Sequence, residues 1–199
     1  MKFMAKIDEF EDFHPLSRQE WRDWLAKHYD KLDGVWLISF KKHTKKPFVS
    51  YEEAVEEGLC FGWIDSIQRK LDEESSKLLF TPRKPKSVWS KPNKLRVERL
   101  IENGLMTEIG LQKIEQAKLD GFWDALNASD NLEIAEDLRK ALEANKIAFE
   151  NFNKFTNGLK KVILSWIYSA KTAQTRAGRI SETVSMAQEN LRAQFDKRK

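Results

Sequence analysis

Residues 60–90 read CFGWIDSIQRKLDEESSKLLFTPRKPKSVWS, and the fold follows from how this run is parsed. From Trp63 to Leu71 the pattern alternates. Trp63, Asp65, Ile67, Arg69 and Leu71 share one side of an extended chain, which predicts a strand. Asp72 to Ser76 is a polar cluster suited to a hairpin loop, and Lys77 to Thr81 reads as the returning strand. Pro82 and Pro85 then end regular pairing, because proline supplies no ladder N–H.

Outward from the hairpin, the N-terminal side supplies a third strand and two helices. VWLISF at 35–40 is short, apolar and β-rich, as expected of a central strand. Ser17–Glu20 and Ser50–Glu53 both have capping-box spacing, placing one helix to about Lys31 and another through Ala54, Val55 and Leu59. Trp21, Trp24, Leu25 and Tyr29 recur at helical spacing and are read as core. Residues 1–16 are read as an extended lead-in whose Phe3, Ile7, Phe10 and Phe13 dock on that core. After Ser90 only helical periodicity appears: about 91–104, 107–121, 132–144, 146–155, 159–170 and 172–195, with 122–131 as a connector around Trp123. The expected fold class is therefore α+β. A small antiparallel three-stranded sheet with helices fills residues 1–90, and an all-helical region over 91–199 packs on it as one compact body.

The 199 residues are 41% hydrophobic and 33% charged, which excludes a disordered chain. The net charge of +4 is too mild by itself to indicate nucleic acid. Its distribution is more telling. Arg83, Lys84, Lys86, Lys91, Lys94, Arg96 and Arg99 face only Glu98 within 81–99, whereas 120–143 is acid-rich. The lone Cys60 excludes an intrachain disulfide and a cysteine-based zinc site, and its apolar flanks suit a buried, inert thiol. His14, His28 and His43 lack metal-ligand spacing, and there is no phosphate-binding glycine loop or nucleophile elbow, so no metal or cofactor is expected. No apolar run reaches the ~20 residues of a membrane span, and 1–14 lacks the apolar core of a signal peptide, which favours the cytoplasm.

The candidate site follows from the hairpin. A carboxylate at Asp65 between Trp63 and Ile67 needs a partner. If Leu71 pairs with Lys77, Asp65 falls opposite Arg83, a planar bidentate match. A structural salt bridge holding the loop is one reading. The functional one is a site for a small anionic ligand built from Trp63, Asp65, Arg69, Arg83, Lys84, Trp89 and Asn93. Basic side chains around Trp89 also suit weak nucleic-acid contact through 81–99, though no nucleic-acid motif accompanies them and a solvated basic face explains them as well. On the last helix Arg176 and Arg179 share one side. They are read as structural, docking on Glu136 or Asp137, or as anion-binding, with Trp166 and Ile180 buried in the same helical core.

Three blocks carry a resemblance. They are Cys60-Phe-Gly-Trp-Ile-Asp65; Phe80-Thr-Pro-Arg-Lys-Pro85 with Ser87-Val-Trp-Ser90 and Asn93; and Trp166, Ala170-Lys171, Thr175-Arg176 and Arg179-Ile180. In this order, across about Ser17 to Leu191, the chain resembles the YdeI/OmpD-associated family. The resemblance implies a bacterial protein with a stress or bacteriocin-protection role, and it brings no established catalytic residue. Some members are described as periplasmic. The function expected is thus a non-catalytic binding or protection module. The alternatives are an enzyme acting on a small anionic ligand at Asp65 and Arg83, or a weak nucleic-acid binder through 81–99.

Overall fold

The structure is a computed structural model that describes residues 7–191. The sequence readings at Phe3 and beyond Leu191 lie outside the described residues. In chain order the elements are β1 (Asp12–Phe13), α1 (Arg18–His28), β2 (Val35–Phe40), a 3-10 turn (Lys42–Thr44), α2 (Tyr51–Cys60), β3 (Trp63–Lys70), β4 (Ser75–Pro82), α3 (Lys91–Glu102) and α4 (Glu108–Leu119). Then follow α5 (Asn127–Asp130), α6 (Glu136–Glu143), α7 (Lys146–Lys154), α8 (Asn157–Tyr168) and α9 (Ala173–Gln188). Among the described residues every strand precedes Ser90, as the loss of alternation there predicts.

The sheet is four-stranded and mixed, in the order β1-β2-β4-β3, rather than three-stranded and antiparallel. β1 is the addition: Asp12 and Phe13 run parallel to β2 opposite Trp36 and Leu37. Two residues are too few to show alternation, so this strand left no pattern in the sequence. β2 sits centrally and antiparallel to β4, with Val35 opposite Phe80. Both faces of the sheet are covered. Val35, Leu37, Leu78, Phe80 and Trp63 pack with Trp21 and Leu25 of α1, Val55 and Leu59 of α2, and Trp89, Val97, Leu100 and Ile114 beyond the hairpin. Trp36 and Leu79 point the other way, under Ile7 and Phe10, and the Trp36 indole donates to the Ile7 carbonyl at 2.8 Å. Each such large side chain, fully buried, contributes about 1.5–3 kcal/mol of apolar transfer.

Ser50 and Glu53 form the reciprocal capping box. At α1 only half of the motif closes: Ser17 accepts from the Glu20 N–H, while the Glu20 carboxylate reaches back to the Leu16 N–H. Where α4 crosses the end of α2, a Cβ at Gly110 would lie 2.4 Å from the Cys60 carbonyl oxygen, so the crossing requires glycine.

The chain divides into two compact units at Trp123/Asp124. The boundary lies past residue 90 because Val97 and Leu100 of α3 and Ile114 and Ala117 of α4 complete the first core. In the second unit Leu138, Leu142, Phe152, Ile163, Leu164, Ile167 and Ile180 form a separate helical core. Trp166 is only half-buried against it. Asn145, Thr156 and Thr172 cap α7, α8 and α9 through side-chain oxygens. The largest departures from the periodicity reading are at α6 and α9, and the expected connector at 122–131 contains the short helix α5. α6 begins at Glu136 rather than Leu132, because Leu132 adopts φ +59° and cannot be helical. α9 stops at Gln188, where Asn190 turns left-handed at φ +55°. No helix among the described residues is long and apolar enough to cross a membrane.

Candidate functional site

The site grows from the end of the hairpin. Pro82 ends β4 opposite Trp63, and the next backbone N–H, of Arg83, donates to the Gly62 carbonyl at 2.9 Å. The chain then reverses: the Ser87 N–H donates to the Lys84 carbonyl at 3.2 Å, with Pro85 and Lys86 as the central residues. Lys86 sits at φ +67°. Proline followed by a left-handed residue is the type II turn pattern, in which glycine is the ordinary second residue. A lysine there is strained, and such strain concentrates at functional loops.

This turn returns the chain so that Trp89 lies under Arg83, whose guanidinium carbon is 3.6 Å from the ring centroid. Trp89 is buried and packs on Trp123. Arg83 is itself 4% exposed. Its Nη1 donates to Ser87 Oγ at 3.2 Å and to the Val88 carbonyl at 3.3 Å. Its Nε and Nη2 are buried and meet no acceptor among the described residues. Burial pulls the guanidinium well below its ordinary value, to about 10, against the opposing pull of the Asp65 charge. Beside it lies a cavity of about 70 Å³ lined by Arg83, Lys86, Trp89, Lys113, Asp120 and Phe122, among others.

The chemistry of the unmet edge can be read from the same protein. In the second unit Arg176 uses Nε and Nη2 to clamp Asp137, at 2.6 Å to Oδ2 and 2.9 Å to Oδ1. That edge of a guanidinium presents two parallel N–H groups matched to a planar oxyanion. In Arg83 the same two atoms are buried and unmet. A buried unsatisfied donor costs about 1–3 kcal/mol, more when charged.

The other residues singled out in the sequence are distributed differently. Asp65 lies opposite Phe80, not Arg83, and is half-buried. It accepts from Tyr51 Oη at 3.0 Å, and no ion pair joins it to Arg83. Two features moved the register: β4 begins at Ser75, so the loop is shorter than Asp72–Ser76, and an irregularity lies between Asp65 and Gln68. Trp63 is buried and donates to the Tyr29 carbonyl. Arg69 belongs to the opposite face of the sheet, stacked over Trp36 and paired with Asp8 at 2.5 Å. Asn93 is buried and accepts from Arg96, away from the cavity. Lys84 is exposed and lines the cavity with Arg83 and Trp89. Arg176 pairs with Asp137 as expected, holding α9 to α6. Arg179 donates to the Trp166 carbonyl and, at 2.9 Å, to Ser169 Oγ. Neither arginine of α9 is left open for a free anion.

A buried acid escaped the sequence reading. Glu57, on α2, is 1% exposed and is held by Arg18 Nε and Arg22 Nη1, each at 2.6 Å. Arg18 also reaches Glu56, while Arg96 and Arg99 of α3 close on Glu52. The available signal was the four-residue spacing of Arg18 and Arg22, which puts both on one side of α1. One turn on, burial, reinforced by the Glu57 charge, pushes the Cys60 thiol up to about 11. At pH 8 the thiolate fraction is then on the order of 10⁻³. Native protein should resist iodoacetamide at pH 8 and label readily in denaturant; equal rates would show Cys60 to be open. Among the described residues no group of three or more His, Cys, Asp or Glu is placed to hold a metal ion.

These features define an α+β protein whose sheet unit carries an arginine-centred cavity and whose second unit is helical. Comparison of the sequence with known families gives two matches. Residues 13–113 match the family described as Domain of unknown function (DUF8412), and residues 131–190 match Bacteriocin-protection, YdeI or OmpD-Associated. The chain therefore belongs to the DUF8412 family over its sheet unit and carries a YdeI/OmpD-associated domain in its helical unit. The third sequence block, Trp166 to Ile180, lies in the second match, while the blocks at 60–65 and 80–93 lie in the first. No curated protein and no solved structure matches the chain.

Proposed function

We propose that the chain is a non-catalytic binding module whose first unit holds a small oxyanion on the Nε/Nη2 edge of Arg83. The observation that carries this reading is a buried guanidinium with two unmet donors beside a cavity. Lys84, Lys86 and Lys113 add positive charge around the opening, and Asp120 opposes them. The name of the family matched by the second unit supports placing this binding in a bacteriocin-protection context.

The enzyme alternative lacks its geometry, since Asp65 is bonded to Tyr51 and does not line the cavity. The nucleic-acid alternative loses much of its charge. Arg96 and Arg99 are engaged by Glu52, and Arg83 is too buried to track a phosphate backbone.

The reading is tested by thermal unfolding in sodium phosphate and sodium acetate, with sodium chloride at matched ionic strength as control. An anion that binds only the native state stabilises it by about 1.4 kcal/mol at ten times its Kd. Phosphate or acetate should raise the melting temperature of the wild type and leave Arg83→Met unmoved. Equal shifts in both proteins would refute it. Lys86→Gly should separate strain from binding. It relieves about 1–2 kcal/mol of left-handed strain, offset by about 0.5–1 kcal/mol of added chain entropy. The melting temperature should rise slightly while the anion binds more weakly, since a cation leaves the cavity wall. A fall in both would show that Lys86 serves packing instead.

A further inference from the structure

We infer that the oxyanion taken by Arg83 is the head of a larger amphiphile, an aromatic monocarboxylate whose ring lies in the adjoining cleft. This rests on the reading of Arg83 as an anion site. The cavity at Arg83, about 70 Å³, holds a carboxylate and little more. A second cleft of about 480 Å³ adjoins it, lined by Phe61, Trp63, Pro82, Ile109 and Gln112 among others. The two share Lys113 and Gln116 in their walls, and Pro82 of the cleft is the chain neighbour of Arg83 of the cavity.

Lys113 is the partition, and Gly62 makes room for it. Gly62 has φ +71°, and a Cβ there would lie 2.7 Å from Lys113 Cγ. The lysine stem therefore lies across bare backbone at the edge of the cleft. The walls are aromatic and aliphatic, with Asp30, Gln112 and Gln116 as polar lining. Such a composition suits a flat apolar body, which aromatic side chains accept face-on or edge-on. Asp30 disfavours a second negative group at that end, so the ligand carries its charge at Arg83 alone.

Calorimetric titration of the full chain with 2-naphthoate and with acetate tests this, in the wild type and in Gln112→Trp. Gln112 is exposed and lines the cleft but not the cavity, so a bulky residue there fills the ring site without touching the head site. The expected result is 2-naphthoate binding at least tenfold tighter than acetate to the wild type. Gln112→Trp should remove that advantage and leave acetate unchanged. If 2-naphthoate gains nothing over acetate, or if Gln112→Trp leaves its affinity intact, the extension into the cleft is wrong and the Arg83 site stands. If neither compound binds the wild type, the anion site fails and this inference falls with it.

Discussion

Glu57→Ala is expected to destabilise the protein by about 3 kcal/mol, the lower end of the range for breaking a buried ion pair. The Glu57 side chain is 2% exposed and accepts from two arginines on another helix. Its loss strands two half-buried guanidinium groups that now join α1 to α2. The effect is limited because Arg18 keeps Glu56 and Arg22 keeps the Leu105 carbonyl. Urea unfolding measures it, and a change under about 1 kcal/mol would mean the arginines re-partner freely. The neighbouring pair adds an acid-side signature. Hydrogen bonding from Arg96 holds the Glu52 carboxyl below its ordinary 4.5. A carboxyl depressed on folding stabilises the native state above its unfolded pKa, and that contribution fades as pH drops through the folded value. Arg96→Ala should therefore flatten the loss of stability on acidification below about pH 4.5.

Arg83→Met is expected to do the opposite of Glu57→Ala: it should raise stability. Pulling a guanidinium from its ordinary value down to about 10 corresponds to roughly 3 kcal/mol against the charged form. The hydrogen bonds to Ser87 and Val88 offset part of it, leaving about 1–2 kcal/mol of relief. Methionine keeps much of the length and the contact with Trp89. The sign follows from linkage: a base depressed on folding carries its penalty at all pH below the folded value, so the relief is full at neutral pH, begins to fade as pH rises through about 10, and is lost only near the ordinary arginine value. An Asp65–Arg83 ion pair would have reversed the outcome, with Arg83→Met strongly destabilising. Higher stability with lost anion binding is the usual exchange at a site kept strained for function.

The elements that local chemistry dictates were legible in the sequence. Ser50 with Glu53, the apolar run 35–40 and the alternation from Trp63 each specify their structure within a few residues. The Arg176–Asp137 contact was legible too, because Arg176 and Arg179 share one side of the last helix and 120–143 is rich in acids. What failed depended on pairing between strands. The irregularity between Asp65 and Gln68 leaves no mark on the sequence alternation, yet it puts Ile67 and Arg69 on the face opposite Trp63 rather than beside it, and with the shorter loop it moves Asp65 from Arg83 to Phe80. Arg83 and Trp89 were singled out as candidates, but their relation is a stacked cation over a ring, set by the left-handed Lys86 that nothing in the sequence flags. Glu57 was hidden among the acids of α2, where a buried carboxylate and a solvated one look alike until α1 is docked.

The central claim is that the Nε/Nη2 edge of Arg83 is an anion site, and nitrogen-15 NMR of the arginine side chains tests it most directly. The Arg83 Nε–H resonance, assigned by its absence in Arg83→Met, should shift on titration with acetate and saturate. The Arg176 Nε–H, already occupied by Asp137, should stay in place. An Arg83 resonance that does not move, or that moves only in step with Arg176, would contradict the account.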